Sequence, residues 1–313
     1  MRHIFVMNHN AGKGLTAEKL VDELKVYDGN LNYEIYRTKS RGDATRFIRA
    51  YCEEHPEETV RFYACGGDGT LQEVANGIVG FSHASMSAFP CGSGDDFVKY
   101  YGGRDRFLNL DALLRAEERQ IDLIQVNDTQ YAINACHFGF DSAVAVYMNK
   151  IRHKKIIGGK RAYPVSVARA LCKGMVTRCT VKVDGEVLDP DGKLLLCTVA
   201  NGKYVGGSYC CAPRSENDDG LMEVCLVKPL SRLTFVSLMN VYKEGNHLDD
   251  KRFEKYITYR RGKTVEILAP DDSFACSLDG EIIYGQKIVA TAKQQIIPFA
   301  VPTIAEKEEV ITV

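Results

Sequence analysis

A short glycine-rich run with a single carboxylate, Gly66–Thr70, has the composition of a phosphate-binding turn. It follows the apolar strand pattern Val60–Cys65 and precedes a helical pattern. Glycines let the backbone pass close to a ligand, and a helix that begins at Thr70 would aim free N–H groups at a phosphate. Asp68 would repel that phosphate unless Mg²⁺ lay between them, which is a usual arrangement for this ion. A plain turn before a helix is the alternative, and three glycines around one acid make it the less favoured one.

Two acidic turns in the second half of the chain also carry side chains that can do chemistry. The first, Glu216–Leu221, packs three acids into four positions before a strand, and such a turn can hold a hard cation through carboxylate and backbone oxygens. The second contains Asp279-Gly280 followed by Glu281. Asp-Gly pairs are common in ordinary turns and hairpins, so a purely structural role stays open for both segments.

Three strand–turn–helix units must position the glycine-rich run. Their turns follow Asn8, Cys65 and Pro90, and a short helix is predicted near Leu108–Glu117. Alternating strands and helices predict a parallel sheet covered by helices, whose ligands lie at the carboxyl ends of the strands. All three turns would therefore gather at one edge, which favours a site for nucleotide phosphates. The turn after Asn8 is not a P-loop, because the spacing of its glycines and lysine fails.

The pattern changes near Ile121, where short strands follow one another with few helices between them. One of these strands is predicted at Tyr131–Cys136, and two helical insertions are predicted near Ser142–Arg152 and Leu230–Glu244. Short strands of this kind indicate an antiparallel sandwich or a barrel-like second domain. A chain of 313 residues is also better divided into two domains than into one or three.

Composition limits the classes of partner. The net charge of −1 argues against a general nucleic-acid binder. Eleven cysteines without a C-x-x-C pair, and no secretion signal, predict reduced thiols in a cytoplasmic protein. No run approaches the roughly 20 apolar residues that span a bilayer. The segment Lys150–Arg161 holds six basic residues and no acid, so it is either a solvated loop or a site for nucleotide phosphates or an anionic membrane surface.

Taken together, these residues resemble the diacylglycerol kinase catalytic family, in its bacterial soluble lipid-kinase branch. The resemblance covers nearly the whole chain and centres on GGDGTLQEVANG at Gly66–Gly77. The segment PCGSGDDF at Pro90–Phe97 and the late Asp279-Gly280-Glu281 are similar to further segments of the family. So is the run that begins at Asn201-Gly202 and ends at Ala212-Pro213.

The resemblance implies an α/β fold of two domains with the active site in the cleft between them. A Rossmann-like parallel-sheet domain would occupy residues 1–124, with the segment from about 296 to 313 returning to it. A β-sandwich domain for the lipid substrate would occupy residues 125–295. The implied reaction uses ATP and Mg²⁺ and transfers the γ-phosphate to a lipid hydroxyl, with diacylglycerol as the default acceptor because it is the namesake of the family.

The resemblance also implies roles for individual residues. Asp279 would be the general base with Glu281 nearby, Asp68 would help to hold the Mg²⁺–nucleotide, and Asp122 would be a further acid at the cleft. Glu216, Asp219 and the carbonyl of Leu221 would hold a structural Mg²⁺. The nucleotide would be bound by Asn8, Gly12, Lys13, Thr38, Gly66, Gly67, Gly69, Thr70, Glu73 and Ser93.

The chain departs from the family pattern at His9, Ala11 and Asp95, all on the nucleotide edge. The extra charge of Asp95 is expected to weaken nucleotide binding or to change how Mg²⁺ is held. Two alternatives stay open: a kinase of a soluble substrate such as NAD, because NAD kinases share a similar GGDG turn, and a non-catalytic lipid- or nucleotide-binding regulator. The expected partners are a lipid with a free hydroxyl and the surface of an anionic membrane. A homodimer is a further possibility, and no nucleic acid is expected.

Overall fold

The computed structural model describes residues 1–8, 11–151, 154, 161–173, 175–207 and 209–303. The chain divides into two compact units. The first contains residues 1–120 together with the chain from Ile297 onward, and the second contains residues 121–296. The predicted fold class, an α/β domain with a parallel sheet followed by a sandwich-like domain, is confirmed.

Strands and helices alternate along the first unit. They are β1 (Arg2–Met7), α1 (Leu15–Lys25), β2 (Tyr33–Arg37), α2 (Asp43–Glu54), β3 (Val60–Gly66), α3 (Asp68–Ile78), β4 (Ala84–Pro90) and α4 (Leu110–Leu114). The strands pair in parallel in the order β4-β3-β1-β2. Every residue of β3 and β4 is buried, including the polar residues Arg61, Ser85 and Ser87, as expected for central strands of a parallel sheet that is covered on both faces.

The second unit is rich in short strands. Its elements in chain order are β5 (Glu117–Val126), which begins in the first unit, β6 (Gln130–Ala132), β7 (Ala135–Gly139), α5 (Phe140–Ile151), α6 (Ala162–Lys173), β8 (Thr177–Arg178), β9 (Thr180–Val183), β10 (Glu186–Val187), β11 (Lys193–Leu194), β12 (Leu196–Ala200), β13 (Tyr204–Val205), β14 (Tyr209–Cys210), β15 (Met222–Val227), α7 (Arg232–Lys243), β16 (Ile257–Gly262), β17 (Thr264–Leu268), β18 (Ala275–Leu278), β19 (Glu281–Tyr284) and β20 (Lys287–Val301), which ends in the first unit.

Two antiparallel sheets of the second unit enclose its core. One contains β10, β9, β17 and β20 in that order, and the other has the order β16-β15-β12-β7-β18-β19. On one face of β15, Met222, Val224 and Leu226 pack between the two sheets. On the opposite face, Cys225 and Val227 pack with residues of helices α5, α6 and α7. Both faces of this sheet are therefore buried, one by the other sheet and one by helices.

The end of β20 belongs to the first unit. Phe299 pairs in parallel with Met86 of β4, and its ring lies 5.3 Å from that of Phe97 and 5.4 Å from that of Tyr101. Ser87 Oγ donates a hydrogen bond to the carbonyl of Ala300 at 2.7 Å. This last stretch of strand thus extends the parallel sheet and fills an aromatic cluster beside it.

One predicted strand was wrong in detail. The strand predicted at Tyr131–Cys136 is two strands, β6 and β7, interrupted at Ile133 and Asn134, because the N–H groups there bind a carboxylate instead of a neighbouring strand. The short helix predicted near Leu108–Glu117 is confirmed as α4, which Asn109 caps by accepting the N–H of Ala112 at 2.8 Å.

Candidate active site

The three glycine turns meet at the carboxyl edge of the parallel sheet, as predicted. Gly12 has φ +53°, and a Cβ atom there would lie 2.0 Å from the carbonyl oxygen of Cys91. A Cβ atom on Gly92 would lie 2.6 Å from Cα of Gly67. The first turn therefore touches the third, and the third touches the second, at points where no side chain fits. These glycines are required for the turns to pack together, before any ligand is considered.

Helix α3 begins at Asp68 rather than at the predicted Thr70. The N–H groups of Thr70 and Leu71 already bond to the carbonyl of Gly67, at 2.9 and 3.1 Å. The N–H groups of Asp68 and Gly69 are thus the ones at the open end of the helix. A Cβ atom on Gly69 would meet nothing within 4 Å, so the approach to this helix end is open. The arrangement suits a phosphate group.

Asp68 carries a crowded carboxylate at this helix start. Its Oδ1 accepts hydrogen bonds from the N–H groups of Asp96, at 2.7 Å, and of Phe97, at 3.4 Å. Burial, together with the neighbouring carboxylates of Asp96 and Asp95, raises the pKa of Asp68 to about 7. Lys99 Nζ lies 2.6 Å from Oδ1 of Asp96 and Arg104 Nη1 lies 3.4 Å from Oδ2 of Asp95, so Asp68 supplies the negative charge that a bound cation would neutralise. One carboxylate together with phosphate oxygens is an ordinary ligand set for Mg²⁺, so these residues fit the expected ion.

Asp95, the departure from the family pattern, is paired with an arginine. Asp95 has φ +47°, and its Oδ1 accepts the N–H of Gly92 at 3.0 Å. Arg104 Nη1 lies 3.4 Å from Oδ2 of Asp95 and 3.1 Å from the carbonyl oxygen of Gly92. Arg104 Nη2 donates to Thr16 Oγ1 on α1 at 3.1 Å. Burial raises the pKa of Asp95 and the guanidinium of Arg104 opposes that rise, so the extra negative charge is compensated within the turn.

The other predicted nucleotide residues of the sheet edge lie where the strands end. Asn8 Nδ2 donates to Thr70 Oγ1 at 3.2 Å, which links the first turn to α3. Thr38 follows β2 and donates through both its N–H and its hydroxyl to the carbonyl of Met7. Ser93 is exposed at the tip of the third turn. Asn8, Thr38, Ser93 and the glycines are thus brought to one edge.

Some predicted features lie outside the described residues. They are His9, the side chain of Lys13 and most of the basic segment Lys150–Arg161. The backbone of Gly12 and Lys13 belongs to a short 3₁₀ turn, Ala11–Gly14, that leads into α1.

Glu73, unlike the other predicted nucleotide residues, contacts the start of helix α2. Its carboxylate accepts the N–H of Gly42 at 2.8 Å and that of Ala44 at 3.2 Å, both at the start of α2. Its own carbonyl accepts the hydroxyl of Thr45 at 2.7 Å. Glu73 thus satisfies N–H groups that the first turn of a helix leaves unpaired, and it positions α2 against α3.

We expect Glu73→Ala to lower the free energy of unfolding by about 1–3 kcal/mol, because two part-buried N–H groups lose their acceptor. Urea unfolding of the metal-free protein measures this change. Glu53→Ala, at an exposed position of α2, the helix that Glu73 contacts, is the control and should be nearly neutral. Equal stability of the Glu73 and Glu53 variants would show that the contacts of Glu73 do not hold α2.

Asp279 lies in a two-residue hairpin between β18 and β19, with φ +47° and Gly280 at φ +93°. Positive φ at both positions is the conformation that Asp-Gly favours. The distinguishing feature is its carboxylate, which accepts three backbone N–H groups. They belong to Ile133 at 2.7 Å, Asn134 at 3.1 Å and Ala135 at 2.8 Å. The hairpin thus holds one carboxylate in a fixed orientation.

The protonation of Asp279 suits a base. Burial raises its pKa to about 6, and the three N–H bonds oppose that rise. A carboxylate with a pKa near neutrality accepts protons better than an ordinary one and is still ionised at pH 7. Glu281 is the first residue of β19, pairs in register with Leu278, and is half-buried two residues after Asp279.

Asp122 is committed to backbone groups. It is 1% exposed. Its Oδ2 accepts the N–H of Gly220 at 2.6 Å, and its Oδ1 accepts the N–H of Gln295 at 2.7 Å. Its own N–H donates to the carbonyl of Asn217 at 2.7 Å. These contacts tie the acidic turn to β5 and β20, so the geometry gives Asp122 a positioning role rather than contact with a substrate.

The acidic turn already contains a cation. Asp219 Oδ1 accepts the N–H of Leu221 at 2.9 Å, and its Oδ2 contacts the guanidinium of Arg261. Arg261 Nε also lies 2.8 Å from the carboxylate of Glu223, which is 1% exposed. Within the part of the chain that the structure describes, no three His, Cys, Asp or Glu residues are grouped so as to hold a metal ion. The donors expected at Glu216, Asp219 and the carbonyl of Leu221 stay a prediction, and in this structure the guanidinium of Arg261 supplies the positive charge beside Asp219.

Comparison with known proteins identifies the family. Residues 2–126 match the model of the diacylglycerol kinase catalytic domain. Residues 134–304, more than half of the chain, match the model described as the YegS C-terminal NAD kinase beta sandwich-like domain. The chain belongs to the diacylglycerol kinase family. Its second domain is of the YegS type, and the chain is a kinase.

Individual relatives of the family match at modest identity along most of their length. A diacylglycerol kinase of Bacillus subtilis is 26% identical over 281 residues, which is 88% of each chain. A diacylglycerol kinase of Staphylococcus saprophyticus is 26% identical over 312 residues, 98% of this chain and 97% of the relative. A crystal structure of a diacylglycerol kinase from Bacillus anthracis has a TM-score of 0.65 at 20% identity and covers 96% of both chains, which shows the shared fold.

Proposed function

We propose that this kinase transfers the γ-phosphate of ATP to the hydroxyl group of a lipid, and that diacylglycerol is its acceptor, with phosphatidic acid as the product. The observation that carries the proposal is the carboxylate of Asp279, which three backbone N–H groups hold in place and whose pKa is about 6. Several relatives of the chain are named diacylglycerol kinases, which supports this choice of acceptor, whereas others are named YegS-like lipid kinases, which supports a lipid acceptor without naming it.

In this proposal the glycine turns bind the nucleotide. The open start of α3 at Asp68 and Gly69 receives a phosphate, while Asn8, Gly12, Thr38 and Ser93 border it. Asp68 holds Mg²⁺, which when bound supplies positive charge to the phosphates and screens them from one another. Phosphoryl transfer asks little covalent chemistry of the protein, so positioning and charge neutralisation are the main contributions of these turns.

Asp279 acts as the general base. An alcohol is a weak nucleophile until its proton is removed, and a carboxylate accepts that proton as the new P–O bond forms. The three N–H donors keep the carboxylate in one orientation, so little reorganisation is needed before reaction. Glu281 is proposed to assist from the first position of β19.

The pH dependence follows from the shifted pKa of Asp279. The base form is lost as the pH falls through about 6, so kcat/KM for the lipid should fall about tenfold per pH unit below that value and level off above it. The measurement is made at saturating Mg²⁺–ATP, which holds the state of the nucleotide site constant. A break near pH 4, the range of an unperturbed carboxylate, would count against Asp279 as the base.

Arg104 and Asp95 should behave as a coupled pair in nucleotide binding. In Arg104→Ala the charge of Asp95 is no longer compensated, so we expect ATP affinity to fall about tenfold, which corresponds to about 1.4 kcal/mol. Asp95→Asn in the same protein should restore most of that loss. Calorimetric titration of Mg²⁺–ATP into wild type, Arg104→Ala, Asp95→Asn and the double variant measures the coupling. Additive effects of the two substitutions would show that the pair does not shape the nucleotide site.

A panel assay tests the proposal. The kinase is incubated with radiolabelled ATP, Mg²⁺ and one of several acceptors: diacylglycerol, phosphatidylglycerol, a sphingoid base, a polyprenol or NAD. Transfer to diacylglycerol above all others is the expected result. Transfer to another lipid would keep the reaction and change the acceptor, and transfer to NAD alone would overturn the lipid assignment.

A kinase of NAD is the second candidate, because the model matched by the second domain is described as NAD kinase beta sandwich-like. The third possibility, a regulator without catalysis, predicts ATP binding with no transfer to any acceptor. Asp68 and Asp279 are both present, which favours catalysis.

We further propose a cytoplasmic enzyme of phospholipid synthesis that meets the surface of an anionic membrane. All eleven cysteines are free, which suits a reducing compartment. Among the described residues, no helix has the length and apolar character to cross a bilayer. The possible homodimer stays a prediction.

A further inference from the structure

Helix α7 exposes large apolar side chains to solvent. Leu233 is 85% exposed and Val236 is 57% exposed, and their spacing of three residues places them on the same side of the helix. The other side of α7 packs in the second unit, where the ring of Phe235 lies 5.1 Å from that of Phe140 and Leu238 is buried. The exposed pair therefore contributes nothing to the core of this unit.

The end of α6 adjoins the start of α7. Arg232 Nε donates to the carbonyl of Leu171 at 2.7 Å, and its Nη2 donates to the carbonyl of Cys172 at 3.5 Å. Val176 follows α6 by three residues and is 54% exposed. We define the α6–α7 face as Cys172, Val176, Arg232, Leu233 and Val236. This face holds three of the eight large hydrophobic side chains that are exposed in the described part of the chain.

The two helices that form this face carry charge of one sign. Helices α6 and α7 contain no Asp or Glu, and their basic residues are Arg169, Lys173, Arg232 and Lys243. The whole chain has a net charge of −1, so this concentration of positive charge is local. Lys228 is paired with Asp189 at 3.3 Å, whereas Arg232 bonds to neutral carbonyls and keeps its charge uncompensated by them.

We propose that the α6–α7 face is the surface with which this kinase docks on anionic lipid bilayers. Leu233 and Val236 enter the headgroup region, and Arg232 meets the lipid phosphates. The inference rests on the proposed function, because an enzyme that phosphorylates a lipid must meet the layer that contains it. A second copy of the chain is the less suitable occupant, since a two-fold interface would bring this positively charged face against itself.

Vesicle co-sedimentation without nucleotide tests the surface independently of catalysis. Wild type is compared with Leu233→Ser/Val236→Ser on vesicles of phosphatidylglycerol with phosphatidylcholine and on vesicles of phosphatidylcholine alone. Val26→Ser/Val187→Ser, which removes two exposed apolar side chains outside the face, is the matched control. We expect wild type and the control variant to bind anionic vesicles equally well, and the face variant to bind them at least tenfold more weakly. None of the three proteins should bind appreciably to neutral vesicles.

Cys172 provides a second readout on the unmodified sequence, because it is the one exposed cysteine among the eleven. A nitrobenzoxadiazole label at this thiol should shift to shorter wavelength with anionic vesicles and stay unchanged with neutral ones. A label that stays in water when the protein is vesicle-bound would exclude this face from the contact.

Activity assays separate this inference from the proposed function. The face variant should phosphorylate diacylglycerol in detergent micelles at the wild-type rate and lose at least tenfold on anionic vesicles. If wild type phosphorylates no lipid in either format, the proposed function fails, while the co-sedimentation result still decides the docking surface. Equal vesicle binding by wild type and the face variant overturns the inference, as does equal binding of wild type to neutral vesicles. If wild type forms a dimer that the face substitutions dissociate, and wild type does not bind vesicles, the face is the interface with a second copy instead.

Discussion

Asp279→Asn should lower the rate of phosphoryl transfer about 10²–10⁴-fold, the range that a positioned general base contributes. The amide cannot accept the proton of the lipid hydroxyl. Its single oxygen can replace Oδ1 as the acceptor for the N–H groups of Asn134 and Ala135, whereas its NH₂ group leaves the N–H of Ile133 without an acceptor. Nucleotide affinity should stay at the wild-type value, because the glycine turns are unchanged. Asp279→Ala should lose as much activity and also cost about 1–3 kcal/mol of stability, since three N–H groups lose their acceptor.

A second hairpin of the same chain supplies a close control. Asp184-Gly185 joins β9 to β10 with φ +50° and +86°, and the carboxylate of Asp184 accepts the N–H groups of Lys263 and Thr264. Asp184→Asn therefore changes the same group in the same kind of turn and should leave turnover unaltered. If Asp279→Asn retained turnover within a few-fold of Asp184→Asn, Asp279 would have no part in proton transfer.

Asp68→Asn should remove most activity and stabilise the free protein at the same time. Loss of a charge that holds Mg²⁺ is expected to cost on the order of 10²–10³-fold in kcat/KM, by analogy with the removal of one electrostatic contact from other active sites. The asparagine oxygen can still accept from Asp96 N–H, and the amide no longer adds to the negative charge of Asp95 and Asp96.

The stability effect of Asp68→Asn has a defined pH window. The folded pKa of about 7 lies above the ordinary value of 3.8, so wild type loses stability as the pH rises toward 7 and pays the full cost above it. In chelator-treated protein, the free energy of unfolding of the variant should equal that of wild type near pH 4 and exceed it by a few kcal/mol near pH 8. The upper limit of this gain follows from about 1.4 kcal/mol per unit of pKa shift. Asp105→Asn, at an exposed position of the same unit, should show no such gain.

Thermal unfolding at the two pH values measures this difference. If wild type is as stable as Asp68→Asn at pH 8, the ionised carboxylate of Asp68 does not lower the free energy of unfolding. That result would weaken the case for a cation site at the glycine turns. Addition of Mg²⁺–ATP should stabilise wild type and leave the variant nearly unchanged.

The sequence predicts the parts of the site that depend on local pattern. Glycine spacing and alternating strands and helices suffice to bring the three turns to one sheet edge, since the carboxyl ends of parallel strands coincide. Asp279 also stands out, although an Asp-Gly hairpin alone does not reveal its role. Its three N–H donors lie about 145 positions earlier in the chain, and no local pattern signals them.

Long-range pairing explains what the sequence missed. Arg104 compensates Asp95 across nine positions, and Arg261 reaches Asp219 across 42. No periodicity links such residues, so sequence reasoning counts the charge of Asp95 as free and does not foresee that Arg261 pairs with Asp219. The contacts of Glu73 are of the same kind, because its carboxylate accepts N–H groups at the start of α2, about 30 positions earlier in the chain.

The most direct test of the account is the Mg²⁺-dependent formation of labelled phosphatidic acid from diacylglycerol and radiolabelled ATP, by wild type, Asp184→Asn and Asp279→Asn side by side. We expect product with the first two proteins, none without Mg²⁺, and a loss of at least about 10²-fold with the third. Product formed equally by all three would contradict the assignment of the base, and no product from folded, ATP-binding wild type would contradict the assignment of diacylglycerol as the acceptor.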